Sequence, residues 1–401
     1  MTDTTVRTVA KVRHWEGPMS TPTRHFAFLD GIRGWAAFAV FFYHLRIDRP
    51  ETSLIRARTP QWVLDAAVEG KHGVAVFFEL SGLVIAYSLR KHLAPEPTSD
   101  RPEFDAPNFA LRRIVRLTPP YHAAIIVTLV FAFGAALEGG HDYRPGGAPF
   151  GMIRLFAHLI YAQELFGFVN FNDVFWTLSI ELQFYLAFGL LVLAYDRLSR
   201  SGRPIAILQV LYGVSAALSL LWPLGIVGED RRAVWFMPLW YSFMLGVLVF
   251  ARWRRQIPAR ALAGYMALLT VAPLVAGYGG AFAWVSVATA ALLWIAIERD
   301  RLGRWLADRA SQFLGRVSYS LYLIHTPILG ASFVVMAKLT GEPTLVKQLL
   351  GVLVTLIVTL VASEIFYRAV ERPAIEMSRQ LKKGRRPPPG QPRNRRVTIM
   401  P

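Results

Sequence analysis

Two ionisable residues lie inside the first apolar stretch of the chain. Arg33 and His44 are eleven positions apart in a segment that begins at Phe26 and ends at Leu45. At about 100° per residue, this spacing places both side chains on one face of a helix, about 16 Å apart along its axis. An arginine facing lipid would cost at least about 2.5 kcal/mol near the bilayer centre. We therefore expect the pair to face a protein interior or a hydrated cavity and to belong to a functional site.

Two glutamates interrupt other apolar stretches in the same way. Glu79 lies in FFELSG, and Glu181 lies in FWTLSIELQFYL. A carboxylate beside a neutral imidazole can orient the ring as a general base and stabilise the imidazolium that forms. The predicted helix directions place both glutamates at the outer depth of His44, so we expect Glu181 to orient His44. Glu79 is a cavity candidate, as a partner of Glu181, as a second proton site, or merely as a lining residue.

A group of arginines is predicted on the opposite, inner side. Arg112, Arg113 and Arg116 precede the third apolar stretch, and Arg33 is expected at a similar depth. Guanidinium groups bind phosphates through charge-assisted, often bidentate hydrogen bonds, which suits a phosphate-bearing cosubstrate. Two purely structural roles are the alternatives: basic residues anchor cytoplasmic loops, and an arginine near a helix end can snorkel to the surface.

Three further polar residues follow one another at intervals of three in VSYSLYLIHTPI. Tyr319, Tyr322 and His325 therefore lie roughly on one side of a helix. They either line the cavity or form a polar patch at the membrane interface. No histidine or carboxylate cluster has the spacing of metal ligands, so we expect no metal.

A bundle of membrane helices must position these residues. The chain has 401 residues, of which 54% are hydrophobic and 18% charged, and no cysteine. Several apolar runs reach the roughly 20 residues that cross a bilayer, so the predicted fold is an all-α, polytopic membrane protein with about ten transmembrane helices. The net charge of +17 is concentrated between the spans and in the tail, which indicates anionic lipid rather than nucleic acid as the partner. We predict spans at 27–45, 73–90, 119–138, 174–195, 204–226, 233–251, 259–277, 280–297, 314–337 and 346–368.

Alternating basic loops place both termini in the cytoplasm. Loop 46–72 conflicts with this topology, because it carries five basic residues on the predicted outer side. Stretch 150–163 is short and interrupted by Arg154 and His158, so it is predicted to be an interfacial or re-entrant helix. The expected organisation is a cytoplasmic N-terminal tail over 1–25, one transmembrane domain over 26–373, and a basic, proline-rich, disordered cytoplasmic tail over 374–401.

Six segments, in order from Leu29 to Pro373, carry a resemblance to a known family. They are LDGIRGWAAFAVFFYH, FFELSGLVI, LRRIVRLTPPY, FWTLSIELQFYL, SYSLYLIHTPI and YRAVERP. The chain resembles the membrane-bound acyltransferase 3 family, whose members move acyl groups from a coenzyme A donor onto hydroxyls of sugars, lipid-linked glycans or secondary metabolites. The resemblance covers nearly the whole chain.

The resemblance implies roles for individual residues. Arg33 and His44 correspond to a pair needed for transfer, and Glu181 to the family's glutamate. Arg112, Arg113 and Arg116 correspond to a basic motif near the donor, whereas Glu79 stands where an apolar residue is expected. Some members carry a fused extracytoplasmic esterase-like domain. No such segment is present in this sequence, so a second transfer step would need a separate partner protein.

The resulting expectation is an acyltransferase of a bacterial inner membrane. It would move an acyl group, most simply acetyl, from cytoplasmic acyl-CoA to a hydroxyl of a cell-envelope glycan, or of a metabolite such as a macrolide. Arg33 would serve donor binding, while His44 would act as a general base or accept the acyl group itself. The competing class is a proton-coupled transporter with Arg33, His44 and Glu181 as its relay, although no repeated halves are visible. A structural scaffold would explain the ionisable residues poorly.

Overall fold

The computed structural model describes eight stretches of the chain. They are 26–45, 52–94, 103–140, 142–199, 204–227, 234–277, 280–340 and 344–383. Within these stretches every regular element is a helix. The predicted N-terminal tail lies outside them, as do residues 384–401. The helices are α1 (Ala27–Leu45), α2 (Ser53–Arg58), α3 (Gln61–Glu69), α4 (Gly73–Ser88), α5 (Ala106–Gly139), α6 (Met152–Leu159), α7 (Trp176–Leu198), α8 (Pro204–Ser219), α9 (Trp240–Trp253), α10 (Ala259–Ala276), α11 (Ala281–Glu298), α12 (Arg309–Thr340), α13 (Leu345–Phe366) and α14 (Arg372–Lys383).

The helices confirm an all-α membrane fold. Each of the ten predicted spans overlaps one α-helix, and six helices in the described part are long and apolar enough to cross a bilayer. Ten crossings and cytoplasmic termini stay predictions. The six helices are Ala106–Gly139, Trp176–Leu198, Ala259–Ala276, Ala281–Glu298, Arg309–Lys338 and Leu345–Leu381.

Close helix contacts fix the bundle around α1 and α4. α1 packs most extensively against α12, where a Cβ atom added to Gly34 would collide with the backbone nitrogen of Gly315. α4 packs in the same way on α9, where a Cβ atom on Gly246 would collide with the carbonyl oxygen of Glu79. Glycine at such positions lets two backbones approach, as in many membrane bundles. These two contacts hold the polar residues of α1 and α4 in fixed orientations.

α5 presents its basic residues in its first three turns. The Asp105 side chain accepts a hydrogen bond of 3.0 Å from the backbone N–H of Asn108, which caps the helix, and Pro107 is in the first turn, where proline is tolerated. The helix ends at Gly140, whose φ of +60° is left-handed and therefore suits glycine. Helical geometry then fixes the direction in which each arginine of this segment projects.

The predicted interfacial stretch contains one short helix, α6. Its apolar residues Met152, Ile153 and Phe156 are exposed, whereas Arg154 and His158 are buried beneath it. Arg154 donates five hydrogen bonds of 2.8–3.1 Å to the backbone carbonyl oxygens of residues 145, 148, 149, 169 and 170. The two residues that interrupt the apolar pattern therefore organise the loop that contains α6.

His158 is held as a neutral ring in the same loop. Its Nδ1 lies 2.8 Å from the carbonyl oxygen of Arg154, and its Nε2 accepts a hydrogen bond of 3.1 Å from the backbone N–H of Phe171. A ring that accepts at Nε2 has no proton there, and burial lowers the pKa of His158 to about 4. Asn172, just beyond, donates to the carbonyl oxygen of Leu323 at 3.2 Å and so joins the loop to α12.

The C-terminal helices correct one predicted boundary. A π-helical turn, Tyr367–Glu371, connects α13 directly to α14, which continues to Lys383. Residues 374–383 are therefore helical and not part of a disordered tail. The Ser378 hydroxyl donates to the carbonyl oxygen of Arg112 at 2.8 Å, which docks α14 on α5. The expected disorder of residues 374–383 is therefore wrong, whereas the bounds of the transmembrane domain stay predictions.

Candidate active site

A polar cavity lies between α1, α4, α5, α7, α12 and the π turn. About 960 Å³ of space lies between its walls and at its mouth, and part of this space is open to the surroundings. Apolar side chains of α4, including Phe77 and Phe78, form much of one wall. The ionisable residues that line it are Arg33, Arg113, Arg116, Glu181, Tyr185, Tyr319, Tyr322 and Glu371.

Two arginines of α5 form what we call the arginine end of the cavity. Arg113 donates to the Ser88 hydroxyl at 3.0 Å, and its guanidinium carbon lies 5.2 Å from the centre of the Tyr185 ring. The Arg116 guanidinium makes no hydrogen bond or ion pair within the described part of the chain. Its donors are available to a ligand. Arg112 projects about 100° around the helix from Arg113 and does not line the cavity.

Arg33 also lines the cavity, but α12 holds it. Its Nε donates to the Ser318 hydroxyl at 2.9 Å and its Nη2 to the carbonyl oxygen of Gly315 at 3.0 Å. The same Nη2 lies 3.5 Å from the Asp30 carboxylate. These contacts tie α1 to α12 while leaving the guanidinium on the cavity wall.

Glu181 lies near the arginine end and is not joined to His44. Its carboxylate accepts hydrogen bonds from the Ser81 hydroxyl, at 3.0 Å, and from the Tyr185 hydroxyl. The Tyr185 ring is the one above which Arg113 lies. The expected orientation of His44 by Glu181 is therefore replaced by a Glu181–Tyr185–Arg113 arrangement.

The helix register explains this displacement. Thr177, one turn before Glu181 on α7, lies 2.9 Å from the Tyr322 hydroxyl on α12, with which it shares a hydrogen bond. His325 is one turn beyond Tyr322, and α7 and α12 are antiparallel at this contact in the predicted topology. Glu181 and His325 thus extend in opposite directions from the Thr177–Tyr322 contact.

His44 and His325 form what we call the histidine end. The two rings are joined by a hydrogen bond of 3.1 Å between His44 Nδ1 and His325 Nε2, with 4.9 Å between ring centres. Neither ring lines the cavity, but Tyr322 does, and its ring centre lies 6.2 Å from that of His325. Tyr322 also makes an edge contact with Phe77 at 5.2 Å. This aromatic pair therefore borders the cavity next to the histidines.

Of the remaining predicted site residues, Tyr319 lines the cavity and Glu79 lies in the buried core of the bundle. The Tyr319 hydroxyl lies 3.4 Å from the carbonyl oxygen of Leu117. Glu79 does not line the cavity. It is fully buried, and neither carboxylate oxygen has a hydrogen-bond partner in the described part of the chain. Two ionisable lining residues, Tyr185 and Glu371, were not predicted from the sequence. Tyr185 follows Glu181 by four positions, a spacing that could have indicated it, whereas only the π turn directs Glu371 inward, to the Ser320 hydroxyl at 2.6 Å.

The sequence that forms this site matches a known protein family. Residues 26–367 match the model of an acyltransferase domain. The chain belongs to this acyltransferase family. The domain thus includes both ends of the cavity. Among the described residues no group of three or more histidine, aspartate or glutamate side chains could hold a metal ion.

Curated relatives of this acyltransferase domain carry names of O-acetyltransferases. This chain is 26% identical to "O-acetyltransferase OatA" of Staphylococcus aureus (strain NCTC 8325), over 87% of this chain and 57% of the relative. It is also 26% identical to "Putative peptidoglycan O-acetyltransferase YrhL" of Bacillus subtilis, over 87% of this chain and 55% of the relative. The chain thus spans little more than half the length of these relatives. No solved structure matches it.

Proposed function

We propose that this chain transfers an acetyl group from acetyl-CoA, bound from the cytoplasm, to a hydroxyl of a cell-envelope glycan in a bacterial inner membrane. The observation that carries the proposal is one cavity with a histidine pair beside one end and, at the other, Arg116 donors that have no partner among the described residues. The family match and the names of the relatives support acetyl as the transferred group.

The arginine end would receive the donor. Coenzyme A carries several phosphates, and guanidinium groups at a partly enclosed site bind phosphate by charge-assisted hydrogen bonds. Arg116 supplies unengaged donors, and Arg113 supplies a second positive charge. The uncharged pantetheine arm would then extend along the cavity, between the apolar wall of α4 and the hydroxyls of Tyr319 and Tyr322.

The histidine end would perform the transfer. His44 takes the proton of an acceptor hydroxyl while the hydroxyl oxygen bonds to the thioester carbonyl carbon. The carbon–sulfur bond breaks, and the proton passes from His44 to the leaving thiolate, which gives an acetyl ester and free coenzyme A. If His44 instead accepts the acetyl group first, the products are the same and a labelled His44 appears before them.

The acceptor is proposed to be a glycan because the name of one relative refers to peptidoglycan. Donor and acceptor would then enter from opposite sides of the bundle. A separate extracytoplasmic protein is proposed to carry the acetyl group on to the final acceptor.

Acetyl transfer by the purified chain tests the proposal. The full chain in proteoliposomes receives radiolabelled acetyl-CoA together with peptidoglycan fragments, and both free thiol and acetylated product are measured. We expect thiol release and an acetyl mass increase on the fragments, both lost in His44→Ala and both kept in His122→Leu. Transfer that persists undiminished in His44→Ala contradicts the mechanism. Solute movement without any consumption of acetyl-CoA would favour a transporter, and acetylation of small metabolites alone would change the acceptor.

A further inference from the structure

The hydrogen bonds of His325 define its tautomer. The ring is completely buried in α12, and its Nδ1 lies 2.9 Å from the carbonyl oxygen of Leu321 and 3.0 Å from that of Tyr322. A carbonyl oxygen only accepts hydrogen bonds, so Nδ1 must carry the proton. In the neutral ring, Nε2 then bears the lone pair. His325 therefore presents an acceptor toward its neighbour.

That acceptor determines the tautomer of His44. His44 Nδ1 lies 3.1 Å from His325 Nε2 and 3.0 Å from the carbonyl oxygen of Val40, one turn earlier on α1. Both neighbours are acceptors, so His44 Nδ1 is the donor of a shared hydrogen bond. The lone pair of neutral His44 then lies on Nε2, which is the nitrogen that can accept a proton from a hydroxyl.

We infer that His325 is the positioning residue of His44: by accepting a hydrogen bond from Nδ1–H it holds the ring in the tautomer whose basic nitrogen is Nε2. This inference rests on the proposed acetyl transfer. In many enzymes a carboxylate orients the catalytic histidine, and here Glu181 is engaged with Ser81 and Tyr185 instead. The lone pair of a neutral histidine performs the orientation without placing a negative charge in the bundle.

The pair also stabilises the charge that forms during transfer. When His44 Nε2 takes the proton of the acceptor, the ring becomes an imidazolium, and its Nδ1–H becomes a charge-assisted donor to His325 Nε2. The Val40 carbonyl shares this bond but belongs to α1 itself, so it cannot fix His44 relative to α12. His325 supplies that fixed relation between α1 and α12 at the histidine end.

Steady-state kinetics of full-length variants test the role. His325→Leu removes the acceptor, and we expect kcat to fall about 100-fold, the lower range for loss of general-base function, while KM for acetyl-CoA changes less than about two-fold. His325→Gln supplies an amide oxygen that can accept the same bond and should recover kcat to within about ten-fold of wild type. His122→Leu, a histidine of α5 outside the cavity, serves as the matched control and should retain full kcat.

Nitrogen NMR tests the geometry without turnover. The protein is labelled with 15N-histidine, and the signals of His44 are assigned as those that disappear in His44→Ala. We expect His44 Nδ1 to be protonated and to show a through-hydrogen-bond coupling to His325 Nε2. The coupling should disappear in His325→Gln, whose monodispersity and acetyl-CoA binding report correct folding. A wild-type His44 protonated at Nε2, or full kcat in His325→Leu, overturns the inference. If the coupling is present but wild type transfers no acetyl, the proposed function fails while the histidine geometry stands.

Discussion

Loss of Arg116 should weaken donor binding far more than loss of its neighbour Arg112. Arg116 lines the cavity and has no hydrogen bond or ion pair in the described part of the chain, whereas Arg112 projects away from the cavity. A hydrogen bond to a charged group contributes about 1.5–3 kcal/mol. Since about 1.4 kcal/mol corresponds to a factor of ten, Arg116→Gln should raise the Kd of acetyl-CoA about 10- to 150-fold.

The assay is calorimetric or filter binding of acetyl-CoA to purified Arg116→Gln and Arg112→Gln proteins. Pantetheine, which lacks the nucleotide phosphates, is the ligand control, because its binding should not depend on Arg116. Arg112→Gln should leave the Kd within about two-fold of wild type, since it removes no ligand contact. Equal weakening in both variants would refute the reasoning, because it would mean that the cluster acts only by anchoring to lipid.

Three further predictions concern stability and the buried carboxyl. Gly246→Ala should destabilise the protein by about 1–3 kcal/mol in thermal unfolding, because its Cβ would collide with a carbonyl oxygen of α4. Gly134→Ala, with nothing within 4 Å of its Cβ, should be neutral, and equal losses would contradict the packing argument. Glu79→Met should keep acetyl transfer and unfold at the same or a higher temperature, since it removes an unpartnered buried carboxyl; loss of transfer would assign Glu79 a function. The pKa of His158 is lowered from 6.5 to about 4, so the unfolded loop binds more protons as pH falls through this range, and its protection from hydrogen exchange should decrease there. Unchanged protection from pH 7 to pH 4 would contradict the neutral ring.

The sequence predicted which helices carry polar residues but not how those helices face one another. The spacing of Arg33 and His44 correctly indicated a shared helix, because helical periodicity is a local property. The expected partnership of His44 with Glu181 depended on the register of α7 against α12, which no local spacing specifies. The Thr177–Tyr322 contact sets that register, and it leaves Glu181 hydrogen-bonded to Ser81 of α4 instead.

Arg112 lies away from the expected site, and Glu371, which was not predicted, lines it. Arg112 and Arg113 are adjacent in sequence, yet only Arg113 faces the cavity, because consecutive helical residues diverge by about 100°. The position of Glu371 depends on a π turn, whose wider winding redirects a single residue and leaves little trace in the hydrophobic pattern. Residues on one helix face could therefore be predicted, and contacts between helices could not.

The central claim is that one cavity separates donor binding from transfer, and single-turnover transfer with preloaded, labelled acetyl-CoA tests it most directly. The account predicts that His44→Ala binds acetyl-CoA with the wild-type Kd and transfers none of it. It predicts the reverse for Arg116→Gln, which should bind weakly yet transfer at nearly the wild-type rate once saturated. Equal loss of donor binding in both variants, or undiminished transfer by His44→Ala, would contradict it.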